Sequence, residues 1–581
     1  MELNIAAVTE AIAARHADRE CIVFRDRRFD WADVNDRTRR LARVLHDAGL
    51  GMTGTFGDGE PWESVHDHVG LYLLNGNEYI EGMLGAWKAR CASFNVNYRY
   101  VAEELRYLFD DAAASAVIIA EQFAPVFAEV LDGLRIRPRV ILQVADGSGQ
   151  PLLPGAIDYE AALAAADPEL PAALVESWSG DDLYLCYTGG TTGMPKGAMW
   201  RQADFVVSAL GVTRPDGSDY ETLDEIVDRA TGTARVLPAP PLMHGAAHWN
   251  ALSALIAGGT VIIQDVVDRI DADDVLTCVA RCRASALLIV GDPIGRPLAD
   301  AIRAGDHDLS SLRHLLSGGA VLSPTLRTEL LDLLPGIRII DVLGSTESGR
   351  QGVANHRRGD DASTSFSPSP TAVVLSEDRT RVLEPRDAAM GWLAQTGRVP
   401  LGYLGDPDKS RATFPVIDGI RHSVAGDRAQ LRPDGSIVLL GRDSVTINTG
   451  GEKVFAEEVE TALKTHPAVF DAVVCGRPSE RWGSEVVAIV QLRPGPAPGD
   501  DDLLEAVDGH LARFKRPKEI IRIDHIVRSP SGKADYRWAA SIAAGPTSTS
   551  DREGTSTSDR EGRATSDREG TAMSAAEGTA T

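Results

Sequence analysis

The 581-residue sequence has no run approaching the roughly 20 consecutive apolar residues that span a bilayer. Its six cysteines, at 21, 91, 186, 278, 282 and 475, are too scattered for a disulfide framework. Cys278 and Cys282 have no second pair to complete a zinc site, and a reducing cytoplasm is the expected compartment. Positive charge is also short. The 59 Lys and Arg stand against 84 Asp and Glu, a formal net charge of −25, which argues against broad binding to nucleic acid or an anionic membrane. Residues 1–20 are broken by Glu2, Glu10, Arg15, Asp18, Arg19 and Glu20, so no signal peptide is expected there. What remains is ordinary for a globular protein, 43% hydrophobic and 25% charged, with room for two or three domains. Such an acidic protein must bind any polyanion by local design.

Apolar runs at 116–120, 261–263, 286–290 and 337–342 alternate with segments of helical period, which implies an α/β architecture. One helix is expected from about Trp31 to Ala48, with Val34, Leu41, Val44 and Leu45 on one face and Gly49 as its stop. Residues 50–64, rich in glycine and acidic side chains, read as a surface loop. A boundary falls near Gly441 and Arg442, after which a small α/β unit begins. Val459, Ala462 and Leu463 form a helical stripe there, His466-Pro467 ends it, and 469–474 reads as a strand. The expected division is 1–441, 442–544 and a tail at 545–581. That tail repeats Ser-Asp-Arg-Glu-Gly and has no aromatic residue, so it cannot bury enough surface to fold and is expected to be disordered.

Residues 187–197 read Tyr-Thr-Gly-Gly-Thr-Thr-Gly-Met-Pro-Lys-Gly. Gly189, Gly190 and Gly193 let backbone N–H groups turn inward, Thr188, Thr191 and Thr192 add hydroxyl donors, and Lys196 adds a point charge. This is a loop suited to phosphate. It is no Walker A loop, because Lys196 lies between Pro195 and Gly197 rather than opening a helix. Apolar runs on both sides place it between two strands.

The segment resembles the signature loop of the adenylate-forming superfamily, which includes acyl-CoA synthetases, peptide-synthetase adenylation domains and firefly-type luciferases. The resemblance covers about residues 1–540, in five motifs in the family's order. It implies a large multi-sheet N-terminal adenylation domain and a small mobile α/β C-terminal domain. Gly344-Ser345-Thr346-Glu347-Ser348 follows a strand, and Glu347 is a plausible Mg²⁺ ligand beside a triphosphate, with Thr346 donating to the α-phosphate. Leu343 stands where the family usually has an aromatic residue that stacks on adenine. Ser317-Gly318-Gly319-Ala320 resembles the adenine-side loop, or is a plain strand-to-helix turn. Asp427 matches the aspartate that chelates the ribose hydroxyls, and Arg442 matches an arginine that reaches the nucleotide.

His244, in Pro-Leu-Met-His-Gly-Ala-Ala-His-Trp, resembles the residue that borders the carboxylate and gates the acyl pocket. His248 lies four residues on, but the Glu of a His-Glu-x-x-His zinc helix is missing. Lys533, in Pro-Ser-Gly-Lys, matches the family's loop lysine, which would stabilise charge on the pentacoordinate transition state. Residues 441–460 resemble the hinge and the loop that rotates in for thioester formation. Gly450 and Gly451 would let the CoA pantetheine pass, with Glu452 and Lys453 along its path, and Ser444 occupies the hinge position.

The resemblance therefore implies a carboxylic acid, ATP, Mg²⁺ and CoA as the partners, possible self-association, and two half-reactions in one site. Among adenylate-forming enzymes the nearest in feel are actinobacterial fatty-acyl and steroid-side-chain CoA synthetases. The motifs that carry this are His68-Val-Gly-Leu-Tyr, Asn95-Val-Asn-Tyr-Arg-Tyr, Gly-Gly-Glu-Lys and Asp535-Tyr-Arg-Trp. Met243, Ala246, Ala247 and Trp249 suggest an apolar pocket wall. An adenylation enzyme serving a carrier protein, a ligase that stops at the adenylate, and an inactive nucleotide-binding protein remain as alternatives. Deleting 545–581 is expected to leave turnover unchanged, checked by assaying the truncated chain beside the full one.

Overall fold

The computed structural model describes residues 2–188, 194–360, 365–449, 452–479, 481–529 and 532–545. The Ser-Asp-Arg-Glu-Gly repeats of the tail lie outside them. Strands flanked on both faces read as unbroken apolar runs, because helices cover each side of a parallel sheet. Ala114–Ala120 is the clearest case: all seven residues are buried, and it runs parallel to His68–Tyr72 and Val140–Val144. Ala92–Asn95 and Ile157–Asp158 complete this five-stranded parallel sheet.

A second sheet has fifteen strands among the described residues. Its parallel part includes Thr260–Ile263, Arg235–Pro238, Ala286–Ile289, His314–Gly318 and Arg338–Ser345. The chain then reverses, and Gly349–His356 pairs antiparallel with Arg338–Ser345. The run expected at 337–342 thus extends through Gly344 and Ser345, and the Thr346-Glu347-Ser348 motif caps a hairpin rather than following a free strand end. A three-stranded sheet holds the antiparallel pair Leu183–Thr188 and Lys196–Arg201, as the flanking apolar runs predict, with Gly402–Tyr403 on its edge.

The helix Trp31–Asp47 starts at a capping box formed by Asp30 and Asp33, and Gly49 follows it at φ 73°. Val34, Leu41 and Leu45 face inward, and Val44 is partly buried against the same core. This helix packs on Asn77–Lys88, a helix with no exposed residue. The charges it buries are paired: Arg37 Nε donates to Glu81 at 2.8 Å, and Lys88 Nζ meets Glu10 at 2.7 Å. Residues 50–64 form an irregular, largely exposed loop, as expected.

The C-terminal domain is smaller and has its own core. Val469–Ser479, Gly483–Leu492 and Glu519–Ile523 form its main strands. Val459, Ala462 and Leu463, on the helix Ala456–Leu463, are buried against them. Ile437–Arg442 still belongs to the fifteen-stranded sheet, and Ile447–Thr449 is the first strand of the C-terminal one. Among the described residues no helix is long and apolar enough to cross a membrane.

Trp31–Asp47 and Asn77–Lys88 meet closely at Gly85, where a Cβ would stand 2.6 Å from Leu41 Cδ2 and 2.9 Å from its Cβ. Gly85→Val is therefore expected to lower stability by about 1–3 kcal/mol through overpacking, read as a lower thermal midpoint.

Candidate active site

Charged side chains from both domains meet in one cleft. Lys533 lies on the loop after Glu519–Ile523, and its backbone N–H donates to Ser529 Oγ at 3.1 Å. Arg528 fixes that loop from below: Nε and Nη2 donate to the two carboxylate oxygens of Asp471 at 2.6 and 2.7 Å, and Nη1 donates to the Gly532 carbonyl at 3.1 Å. Gly532 rests on the N-terminal domain, where an added Cβ would stand 3.2 Å from Pro293 and 3.4 Å from Val290. Lys464 ties the same surfaces together, 3.5 Å from Asp471 and 3.6 Å from Asp292.

Lys533 keeps accessible surface although protein atoms surround it, as a side chain standing in a cleft does. Burial and then the Arg442 guanidinium pull its pKa below the ordinary lysine value, while Glu347 and Asp427 act the other way. Three predicted site residues thus share its field. Arg442 Nε donates to Asp427 Oδ1 at 3.2 Å. Glu347, at the hairpin tip, accepts from the Tyr403 hydroxyl at 3.0 Å, and its carbonyl accepts from Ser423 Oγ at 2.6 Å. The Thr346 carbonyl accepts from Trp200 Nε1 at 2.9 Å.

Of the phosphate loop, Gly189, Gly190, Thr191, Thr192 and Gly193 lie outside the described residues. Thr188 and Lys196 face each other across the strand pair that carries the loop. Lys196 is bound to Asp406, with its ammonium 5.9 Å from the centre of the Tyr403 ring. Ser317 is buried and its hydroxyl accepts from the Gly291 N–H at 3.2 Å, while Gly319 turns the chain at φ 87°. Gly318 ends the strand His314–Gly318, and Ala320 packs against the core beneath it. Asp292 joins this loop to the C-terminal domain, since Oδ1 accepts from the Ser323 N–H at 2.7 Å and Oδ2 faces Lys464. Gly344 and Ser345 lie on the hairpin strand, and the Ser345 hydroxyl is buried without a partner among the described residues.

Other residues stand elsewhere. Leu343 packs inward with Val374, Leu383 and Leu393 and is buried, so it offers no face to a base. Lys453 pairs with Glu377 at 3.2 Å rather than with the Lys533 cluster. Gly450 and Gly451, with Pro530 and Ser531 beside the lysine, lie outside the described residues. Ser444 sits in a short 3-10 turn, Asp443–Val445, whose first N–H donates to the Gly426 carbonyl at 3.0 Å.

His244 is the N-cap residue of the helix Gly245–Ile256, and its Nε2 has no hydrogen-bond partner among the described residues. Burial, then Lys533 and His248, hold its pKa down at about 3, so the ring is neutral at ordinary pH. His248 is no metal ligand: Nε2 lies 2.5 Å from the Tyr184 hydroxyl and Nδ1 2.7 Å from the Leu242 carbonyl. Trp249 Nε1 donates to the same tyrosine at 2.9 Å. Cys186 lies beside this group on the strand Leu183–Thr188, where burial pushes its pKa up to about 11. Tyr403, Asp406 and Ser423 carry no motif, and sequence reading passes over them. Their only signal is spatial.

A family model described as AMP-binding enzyme matches residues 9–391, and one described as AMP-binding enzyme C-terminal domain matches 458–533. The chain belongs to the AMP-binding enzymes. Medium-chain acyl-CoA ligase Mig of Mycobacterium avium is 48% identical, covering 93% of this chain and 98% of that protein. The 3-oxocholest-4-en-26-oate–CoA ligase of Rhodococcus rhodochrous is 38% identical over 93% of this chain and 96% of its own. A benzoate CoA ligase structure from Burkholderia xenovorans LB400 has the same fold, with TM-score 0.75 at 21% identity, covering 93% of this chain and all 100% of that one.

In this AMP-binding enzyme one further carboxylate stands at the junction of the domains. Gly441, at φ 130°, leaves room for Glu457, whose Oε2 would lie 2.0 Å from any Cβ added there. That oxygen is buried without a hydrogen-bond partner among the described residues. Burial, then Glu460 on the same helix and Asp427 across the junction, raise the Glu457 pKa to about 8, opposed by backbone N–H groups. Arg442 faces it from the neighbouring strand. Because the packed form prefers the proton, its contribution to stability is complete below the ordinary carboxylate value and is lost as pH rises through about 8. Glu457→Gln is expected to flatten the fall in thermal midpoint between about pH 5 and about pH 8 and to match or exceed the parent at the upper end. An unchanged pH profile in the variant would contradict this.

Proposed function

We propose that the chain is an AMP-forming acyl-CoA synthetase. A hydrophobic carboxylic acid and ATP give an acyl-adenylate and pyrophosphate, and CoA then gives acyl-CoA and AMP. The observation that carries this reading is the position of Lys533, brought from the C-terminal domain into the field of Glu347, Asp427 and Arg442. A substrate carboxylate oxygen attacks the α-phosphorus, the bond to the pyrophosphate oxygen breaks, and the Lys533 ammonium offsets the charge gathered on the phosphoryl oxygens. In the second step the CoA sulfur bonds to the acyl carbonyl carbon, its thiol proton is lost, and AMP departs.

Asp427 and Arg442 would hold the ribose side of the nucleotide, Thr188 and Lys196 with the loop between them the phosphates, and the neutral His244 the carboxylate end of the acyl pocket. One Glu347 oxygen is held by Tyr403 and the other has no hydrogen-bond partner among the described residues, a donor set that suits a hard cation. Glu347 would hold Mg²⁺, which supplies neutralisation of phosphate charge. The division at 441–442 and rotation about Ser444, carrying Gly450, Gly451 and Lys453 toward CoA, belong to the same reading. The relatives named for medium-chain and steroid acids, and the half-exposed apolar side chains of Ala246 and Trp249, support a hydrophobic acid, whereas Met243 and Ala247, also expected on the pocket wall, are buried in the core.

Purified protein with Mg-ATP, CoA and graded fatty and steroid side-chain acids is expected to yield AMP and acyl-CoA in equal amounts. AMP without thioester would shift the reading to a carrier-directed or adenylate-only enzyme. Lys533→Ala is expected to slow pyrophosphate release by about a hundredfold or more while sparing thioester formation from supplied acyl-adenylate. Equal loss of both half-reactions would remove the role given to Lys533.

A further inference from the structure

Among the described residues the side chain of Arg350 has no counter-ion and no hydrogen bond. It lies three residues beyond Glu347 on the strand Gly349–His356, where its backbone is registered opposite Gly344. Arg350 is exposed to solvent, while the protein packed around its guanidinium holds its pKa below the ordinary arginine value. Its guanidinium lies flat on Gly211: a Cβ there would stand 2.2 Å from Nη2, 2.5 Å from Cζ and 2.7 Å from Nη1. At φ 71° that residue has the backbone that favours glycine.

The cleft beside it is the acyl side of the site. The helix Gly245–Ile256 is half-exposed at Ala246, Trp249, Asn250 and Ser253, a stripe at helical spacing on an otherwise buried element that starts at His244. Ser253 Oγ donates to the Leu210 carbonyl at 3.3 Å, which sets the far end of this stripe against Gly211 and Arg350. Two more polar atoms there are buried without partners among the described residues: Asn250 Oδ1, one turn before Ser253, and Ser208 Oγ, which packs against Gly349. The Arg350 fork of N–H donors stands open to an acceptor at this end of the stripe, and the buried Ser208 hydroxyl beside Gly349 can donate to one as well.

We propose that Arg350 is a specificity-determining residue that binds a second oxygen acceptor, a keto or carboxylate oxygen carried on the acyl chain, so that oxygenated acids are preferred over plain hydrocarbon ones. The inference rests on the acyl-CoA synthetase reading and names the substrate class of that site. The planar fork of five N–H donors suits such an oxygen, and an acid lacking it leaves the cation unpaired.

The test compares kcat/KM for decanoic and hexadecanoic acids, their keto derivatives at several positions, the matching dicarboxylic acids, and a steroid side-chain acid with and without a ring ketone. The parent enzyme is expected to favour at least one oxygenated acid over its hydrocarbon match by about tenfold or more. Arg350→Met should remove that preference and leave the plain acid within about threefold of the parent, and Arg350→Lys should fall between. No preference in the parent enzyme overturns the proposal without recourse to any variant. Equal loss on every acid in Arg350→Met also overturns it, since that would place Arg350 at the nucleotide or the reacting carboxylate. Absence of thioester from all acids would overturn the synthetase reading itself.

Discussion

The cleft depends on one electrostatic junction. Asp471 receives Arg528 from the lysine loop and Lys464 from the preceding helix, and Lys464 reaches across to Asp292 of the large domain. Burial works to raise the Asp471 pKa, but the two cations outweigh it and hold the carboxyl below its ordinary value. Cutting one member of such a group would strand a charge in a dry place, which is why the group holds its geometry so firmly. Through it the lysine loop, the 317–323 turn and the helix Ala456–Leu463 become one surface. Without this junction Lys533 would be a solvated side chain on a small independent unit.

The same principle reconciles an acidic protein with a polyanionic ligand. The net charge of −25 is spread over the whole surface, whereas Lys196, Arg442 and Lys533 converge locally. Each is matched by a carboxylate: Asp406, Asp427 and Glu347 keep the cations placed while the field stays near balance. Tyr403 links two of these groups, since its ring lies beneath Lys196 and its hydroxyl holds Glu347. Under the proposed function a phosphate entering this cleft would meet donors already oriented, so little reorganisation would oppose binding.

Most of the scaffold was legible in the sequence because it follows from short-range pattern. The apolar run at 116–120, the span and stop of Trp31–Asp47 and the strands flanking the phosphate loop are found where the pattern places them, the first extended to Ala114–Ala120. The motif residues Glu347, Asp427, Arg442 and Lys533 were legible through family resemblance and converge in space. Residues acting over long separations were not. Tyr403 meets Glu347 across 56 positions and Lys196 meets Asp406 across 210, so no window of sequence contains either pair. Arg350 and Glu457 were hidden for a different reason. A charged residue reads as solvated surface until the fold surrounds it. Leu343 shows the reverse error of emphasis, since its place in a motif drew attention while its side chain simply fills a core.

All six cysteines are buried, and this bears on how a reactive acyl group can be handled safely. An acyl-adenylate is an electrophile awaiting a sulfur nucleophile, and the protein carries a thiol of its own beside the cleft at Cys186. With its pKa pushed up to about 11, that sulfur stays protonated at neutral pH and is a poor competitor for CoA. Cys475 in the C-terminal domain is likewise pushed up to about 11. The protein is thereby shielded from acylating itself, a form of chemical self-tolerance achieved by packing alone.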